Sequence, residues 1–391
     1  MYLYGNMFEI IIFVGMALAM KSIHTYMKRI LLSIAIIMTA VSCNVNPFLT
    51  SWETPYGIPD FNQVKEKHYL PAVEAGIAQQ TEEIEAIINN PETPNFTNTI
   101  VALEKSGARL DQVTTVFGNL LSAETNDEMQ AIAERVMPKL SEHSNNISLN
   151  EKLFARIKAV YESTDKEQLN QEEQMLLQNT YDGFIRSGAN LNEEQKERFR
   201  QISAEMSLLT LNFSQNNLKE TNHYELSVSA EQLSGMPEST LEAYAQVAKE
   251  KGKEGYIVTL DAPNFIPFMK YNPNRELRKE LYMAYNTRCT HDNEYNNEAI
   301  VKKLVNLRLE RAQLLGFATA ADYVLTRRMA ENSDNVYNLL NRLLAAYTPT
   351  AQHEVEEVQA LAQATEGKDF QLMPWDWAYY SEKLKVQKFN L

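Results

Sequence analysis

Apolar residues recur at steps of three and four along most of the chain, and most densely between Asn296 and Met329. There Ile300, Val301, Leu304, Val305, Leu307, Ala312, Leu314 and Leu315 cover a face wider than a surface helix needs, which predicts a helix buried on most sides. Gly316 stands where a helix end needs positive φ, and Thr319 with Asp322 supplies the start of the next helix. Asn332 and Ser333 open another, with Val336, Leu339, Leu340, Leu343, Leu344 and Tyr347 on its face. A further helix is expected to begin at Thr348 and Pro349, run through Val355, Val358 and Leu361, and close at Gly367.

The same period governs the upstream half. Leu70-Pro71 starts a helix with Val73, Ile77, Ile84, Ile87 and Ile88 on one face, and a second runs through Leu103, Leu110, Val113, Phe117, Leu120 and Leu121. Thr125 with Glu128, Ser148 with Glu151, and Asn170 with Glu173 read as capping boxes, and Pro138 is expected to kink or interrupt its helix. Alternation of apolar and polar residues occurs only between about 223 and 271, at Tyr224, Leu226 and Val228 and again at Tyr256, Val258 and Leu260. The fold class is therefore mainly α, with a small β insertion around 223–271. Near the end, Trp375, Trp377, Tyr379 and Tyr380 fall within six residues and need a surface to pack on, yet few residues follow them.

Two apolar runs before residue 43 are read as targeting rather than fold. Met27, Lys28 and Arg29 precede an apolar core from Ile30 to Ala40, which ends in Ala40-Val41-Ser42-Cys43. This resembles a bacterial lipoprotein signal, in which Cys43 becomes the lipidated first residue, so the chain is expected to be exported and held at a membrane. Residues 1–26 are read as lying before the true start. Asn46 to Phe61, rich in Pro and Gly, is expected to form an extended arm.

Composition narrows the function. The 391 residues are 44% hydrophobic and 23% charged, which describes a globular chain. A formal net charge of −14, with no basic cluster free of interleaved acids, argues against a nucleic-acid partner. Two cysteines, Cys43 and Cys289, are too few for a disulfide framework. The six histidines, His24, His68, His143, His223, His291 and His353, never fall within one helical turn of each other. His353-Glu354-Val355-Glu356-Glu357 has glutamate where a zinc helix needs its second histidine, and Cys289-Thr290-His291-Asp292 has no third and fourth ligand in reach. There is no Gly-x-Ser-x-Gly elbow and no glycine-rich phosphate loop. Residue by residue, the sequence offers no catalytic residue and no metal ligand.

Its landmarks nevertheless have a familiar order. Asn46-Pro47 with Trp52 and Pro59-Asp60-Phe61, His68-Tyr69-Leu70-Pro71-Ala72, and Pro94-Asn95-Phe96-Thr97-Asn98-Thr99-Ile100 with Gly107 resemble the opening of a peptidyl-dipeptidase of the thimet oligopeptidase (M3) family of zinc peptidases. Phe184 to Gly188, Asn212-Phe213, Gly255 to Pro263, Arg275 to Tyr285, Leu314 to Phe317 with Ala321-Asp322-Tyr323, and Trp375 to Tyr380 follow in the family's order. The resemblance implies a nearly all-helical, two-lobed channel that admits short peptides. It also implies zinc held by a His-Glu-x-x-His helix, which belongs to the C-terminal half of such proteins and is missing here.

On that basis 27–43 is the lipoprotein-type signal, 44–62 the arm, 63–222 the N-terminal helical lobe, 223–271 the β insertion, and 272–391 the helical start of the catalytic lobe, truncated before the zinc helix. The expected activity of the whole is release of C-terminal dipeptides from short peptides. This chain alone is expected to bind no zinc and cleave nothing, its partners being short peptides, a membrane reached through the lipid, and the missing C-terminal half. The rival expectations are a non-catalytic exported peptide-binding lipoprotein and a helical scaffold. Burial of the 375–380 aromatics would favour the binding protein, and their exposure the fragment.

Overall fold

The computed structural model describes residues 46–390 and is mainly α. The lipoprotein-type signal, Cys43 and His24 lie outside the described residues. Chain contacts divide the molecule into two compact units, one up to Val136 and one from Met137.

The first unit is built on helix α1 (Tyr69–Ile88) packed against α2 (Ala108–Ala123). Gly76 permits the close approach, because a Cβ there would sit 3.0 Å from the Leu110 Cα. Phe48, Tyr69 and Phe117 form a buried aromatic file with centroid spacings of 5.2 and 5.1 Å. The segment after Asn46 is not extended throughout: Pro47–Leu49 and Pro55–Gly57 curl into 3-10 turns. It is pinned by Asn46 Nδ2 donating to the His68 carbonyl at 2.7 Å and by Arg109 Nη1 donating to the Phe48 carbonyl at 3.3 Å. The helix expected to run from Leu103 to Leu121 breaks at Ser106-Gly107, where Gly107 adopts φ +77° and its N–H is taken by Glu83 at 2.7 Å.

Helix α3 (Asp127–Ser148) runs unbroken through Pro138, so of the expected kink or interruption the interruption does not occur. Proline removes one intrahelical bond, and the burial of Met129, Ala133 and Val136 on the preceding turns offsets that loss. Its start is capped by Asn126, whose Oδ1 accepts from Met129 N–H at 2.8 Å, rather than by Thr125.

The second unit continues with α4 (Glu151–Ser163), capped by Asn150 rather than by Ser148, and α5 (Gln171–Arg186), where Asn170 and Glu173 make the expected capping box. Tyr161, Tyr181, Phe154 and Phe184 stack between them. The long α6 (Glu193–His223) leads to strand β1 (Leu226–Val228), helix α7 (Glu238–Glu250) and strand β2 (Tyr256–Val258). The strands pair antiparallel, Leu226 opposite Val258 and Val228 opposite Tyr256. Their apolar side chains join Tyr244, Phe268 and Leu281 in one core with α8 (Ala262–Tyr271) and α9 (Arg275–Asn286).

Helix α10 (Glu298–Leu314) corrects the densest sequence expectation. Leu304, Leu307 and Ala312 are buried, and the helix packs along α6, but Val301, Val305 and Leu309 on the adjoining strip are exposed. An apolar band wider than one interface identifies a helix that wants two partners, and the described residues supply one. The corner after it forms as expected: Gly316 at φ +84°, Phe317 N–H bonded to the Ala312 carbonyl at 2.9 Å, and Thr319 accepting from Asp322 N–H at the start of α11 (Ala320–Leu325).

Helix α12 (Ser333–Glu366) is a second correction. It is one continuous helix of 34 residues, capped by Asn332 and ended by Gly367, with Thr348 and Pro349 in its interior. The Thr348 hydroxyl donates back to the Leu344 carbonyl at 2.7 Å instead of capping a new start. The last helix, α13 (Trp377–Phe389), follows a 3-10 turn at Pro374–Asp376. No helix among the described residues is long and apolar enough to cross a membrane.

Candidate functional site

The aromatic segment Trp375 to Tyr380 finds its partner surface within the chain. Tyr379 and Tyr380 are buried against Val358 and Ala362 of α12, with Phe370, Leu372 and Leu384 around them, while Trp377 stays partly exposed. The packing is anchored by Asp376. Its carboxylate accepts from Arg275 Nε and Nη2 at 3.1 and 2.7 Å, from Arg278 Nη2 at 2.9 Å, and from Met373 N–H at 3.0 Å. Arg278 also donates to the carbonyls of Asn272 (2.8 Å) and Trp375 (3.3 Å) and lies 4.2 Å over the Tyr379 ring. A buried charge is tolerable only when its hydrogen-bonding capacity is met, and here the pair and its surroundings meet it.

The direction of α13 follows from two contacts. Tyr380 Oη donates to Glu366 at 2.8 Å, and eight residues on Lys388 Nζ reaches Glu357 at 2.7 Å, so α13 runs antiparallel to α12 from its C-terminal end. Beyond that contact α12 is bare. Every residue from 337 to 356 is exposed, including Leu340 at 51%, Leu344 at 66% and Tyr347 at 65%. Twenty helical residues span about 30 Å. An exposed apolar face of that length on a folded chain marks an interaction site.

The candidate ligand residues are scattered. His68 lies at the start of α1, its Nδ1 accepting from Lys65 N–H at 3.1 Å, and burial lowers its pKa. His143 is buried in α3, and burial lowers its pKa as well. His223 ends α6, and His353 faces solvent 3.9 Å from Glu357.

Cys289 and His291 do gain a neighbour that sequence spacing missed. Glu220, near the end of α6, accepts from Cys289 N–H and from Asn293 Nδ2, and lies 3.8 Å from His291 Nδ1. Its carboxylate fastens a loop, and Cys289 sits there at φ +59°. Burial and the Glu220 contact push the Cys289 thiol up to about 11, away from the thiolate that a metal requires. Among the described residues no group of three or more His, Cys, Asp or Glu side chains could hold a metal ion, so these residues do not fit zinc. A concavity of about 390 Å³ in the first unit is lined by Phe61, Lys65, Glu66, Tyr69, Asn126 and Met129, and Asn126 donates to Glu66 at 3.2 Å.

Residues 268–391, which hold the Asp376 anchor and the bare helix, match the family described as peptidase family M3. The resemblance to M3 peptidases read from the sequence is borne out by this match. The chain is 34% identical over 349 residues to the dipeptidyl carboxypeptidase of Escherichia coli (strain K12), covering 89% of the chain and 51% of that protein. It is 33% identical over 342 residues to oligopeptidase A of Haemophilus influenzae, covering 86% of the chain and 50% of the relative. A probable cytosolic oligopeptidase A of Arabidopsis thaliana is 30% identical over 359 residues, with 88% and 50% covered. The chain thus spans about half the length of the curated relatives it matches.

Proposed function

We propose that this chain is the N-terminal part of a zinc-dependent peptidyl-dipeptidase that releases dipeptides from the C-terminus of short peptides. The observation that carries the reading is the similarity to dipeptidyl carboxypeptidases, 34% and 33% identical in two bacteria over 89% of the chain. Zinc would supply the polarised water of hydrolysis. The described residues offer it no ligand set. Their contribution is helical wall and peptide positioning, and the chain alone hydrolyses nothing. Its partners are short peptides, a membrane met through lipid on Cys43, and the remaining half of the fold.

A second reading, a non-catalytic peptide-binding lipoprotein, draws support from the packed state of Tyr379 and Tyr380. The bare length of α12 counts against it, because a finished module covers such a face.

The test is a mass-spectrometric assay on an N-terminally blocked octapeptide. The purified chain is expected to leave the peptide intact. Combined with the part of the E. coli relative outside the match, plus zinc, it is expected to release dipeptides from the C-terminus. Cleavage at internal bonds instead would move the reading to an endopeptidase. Chelator-sensitive cleavage by the chain alone would defeat the claim that it is inactive by itself.

A further inference from the structure

The apolar stripe of α12 does not stop where its cover stops. Val358 and Ala362 lie under α13, and the same line of positions continues toward the N-terminus of α12 through Val355, Tyr347, Leu343 and Leu340, where nothing covers it. The covered and bare parts are one face at spacings of three and four. The covering helix also has a direction. Tyr380 pairs with Glu366 and Lys388 with Glu357, so each further turn along the axis of α13 lies over the next bare turn of α12, beginning at Val355.

We propose that the bare stripe of α12 is the docking seat for an amphipathic segment that continues the line of α13, antiparallel to α12, supplied by the half of the peptidase that this chain does not cover. The inference rests on the peptidase reading and goes further by naming the surface and its polarity. The chemistry of the occupant follows from the walls of the seat. It carries apolar side chains at helical spacing against Leu340, Leu343 and Tyr347. It places a basic group beside Glu354, which borders the stripe, as Lys388 already does beside Glu357.

The probe is the part of E. coli dipeptidyl carboxypeptidase outside the match, mixed with the full chain, with hydrogen exchange and peptide hydrolysis read from the same samples. The docked sample is expected to show at least tenfold slower exchange across residues 337–356. The variant carrying Leu340→Glu and Leu344→Glu is expected to bind at least tenfold more weakly, and the Leu→Met pair at the same positions to bind like the parent. Both side chains are exposed in the free chain, so the melting temperature of either variant alone should stay that of the parent.

Protection of 337–356 without hydrolysis would keep the seat and remove the peptidase reading. Hydrolysis without that protection would keep the reading and overturn the seat. Absence of binding, or protection of 337–356 in the chain alone as it dimerises, would also overturn the proposal, the latter making a second copy the occupant.

Discussion

Arg278 and Asp376, 98 residues apart in sequence, meet at 2.9 Å with side-chain exposures of 1% and 0%. This contact joins α9 to the turn that launches α13, and so sets the line along which α13 lies on α12. Replacing Asp376 by Ala leaves the buried Arg278 guanidinium without its counter-charge, bonded only to the Asn272 and Trp375 carbonyls. The expected loss is about 3–5 kcal/mol of unfolding free energy, read by urea titration. A loss below about 1 kcal/mol would mean that the aromatic packing of Tyr379 and Tyr380 holds the element without the ion pair.

Gly76→Val tests the α1–α2 contact. The new side chain meets the Leu110 backbone, which cannot swing aside as a side-chain tip can. A loss of about 1–3 kcal/mol is expected, measured by the same titration. An unchanged midpoint would show that the two helices can slide apart without cost.

Hydrogen exchange in the free chain should divide α12 in two. Amides of residues 337–356 have no packing above them and are expected to exchange well before those of residues 358–366, which lie under α13. Equal protection along the whole helix would show that the bare part is covered in solution.

Cys289 is expected to resist thiol reagents at neutral pH and to react readily once the chain is unfolded. The thiol rises from an ordinary 9.0 to about 11 on folding, so the folded state holds a proton that the unfolded state gives up first. Its contribution to stability is full below pH 9 and is lost as pH climbs from 9 toward 11. Unfolding midpoints measured at pH 8, 9, 10 and 11 would show the decline, and Cys289→Ser should flatten it. A midpoint independent of pH over that range in the parent would contradict the assignment.

The export reading is tested through Cys43. Cells expressing the parent chain should place it in the membrane fraction and incorporate labelled palmitate, while Cys43→Ser should do neither. Membrane association of the serine variant would point to an anchor other than lipid on that residue.

What could be read without a structure was what is local. Helical class, the corner at Gly316 and Thr319, and the capping box at Asn170 and Glu173 depend on bonds between residues a few positions apart, and those bonds are written in neighbouring side chains. The resemblance to M3 peptidases was legible for a similar reason, since the order of short motifs is itself one-dimensional.

Which side of an apolar helix is covered is not local. Periodicity marked faces on α10 and α12, but period alone names no partner, and half of each face lies open among the described residues. The same limit explains why Thr348-Pro349 read as a start and Cys289 as a lone thiol. A helix already in progress overrides a capping signal, and Glu220 reaches the 289 loop from another helix. Local hydrogen bonds were set by the sequence alone, whereas the ion pair of Arg278 and Asp376 arises only when segments 98 residues apart are brought together, and the bare length of α12 is decided by where the cover of α13 ends.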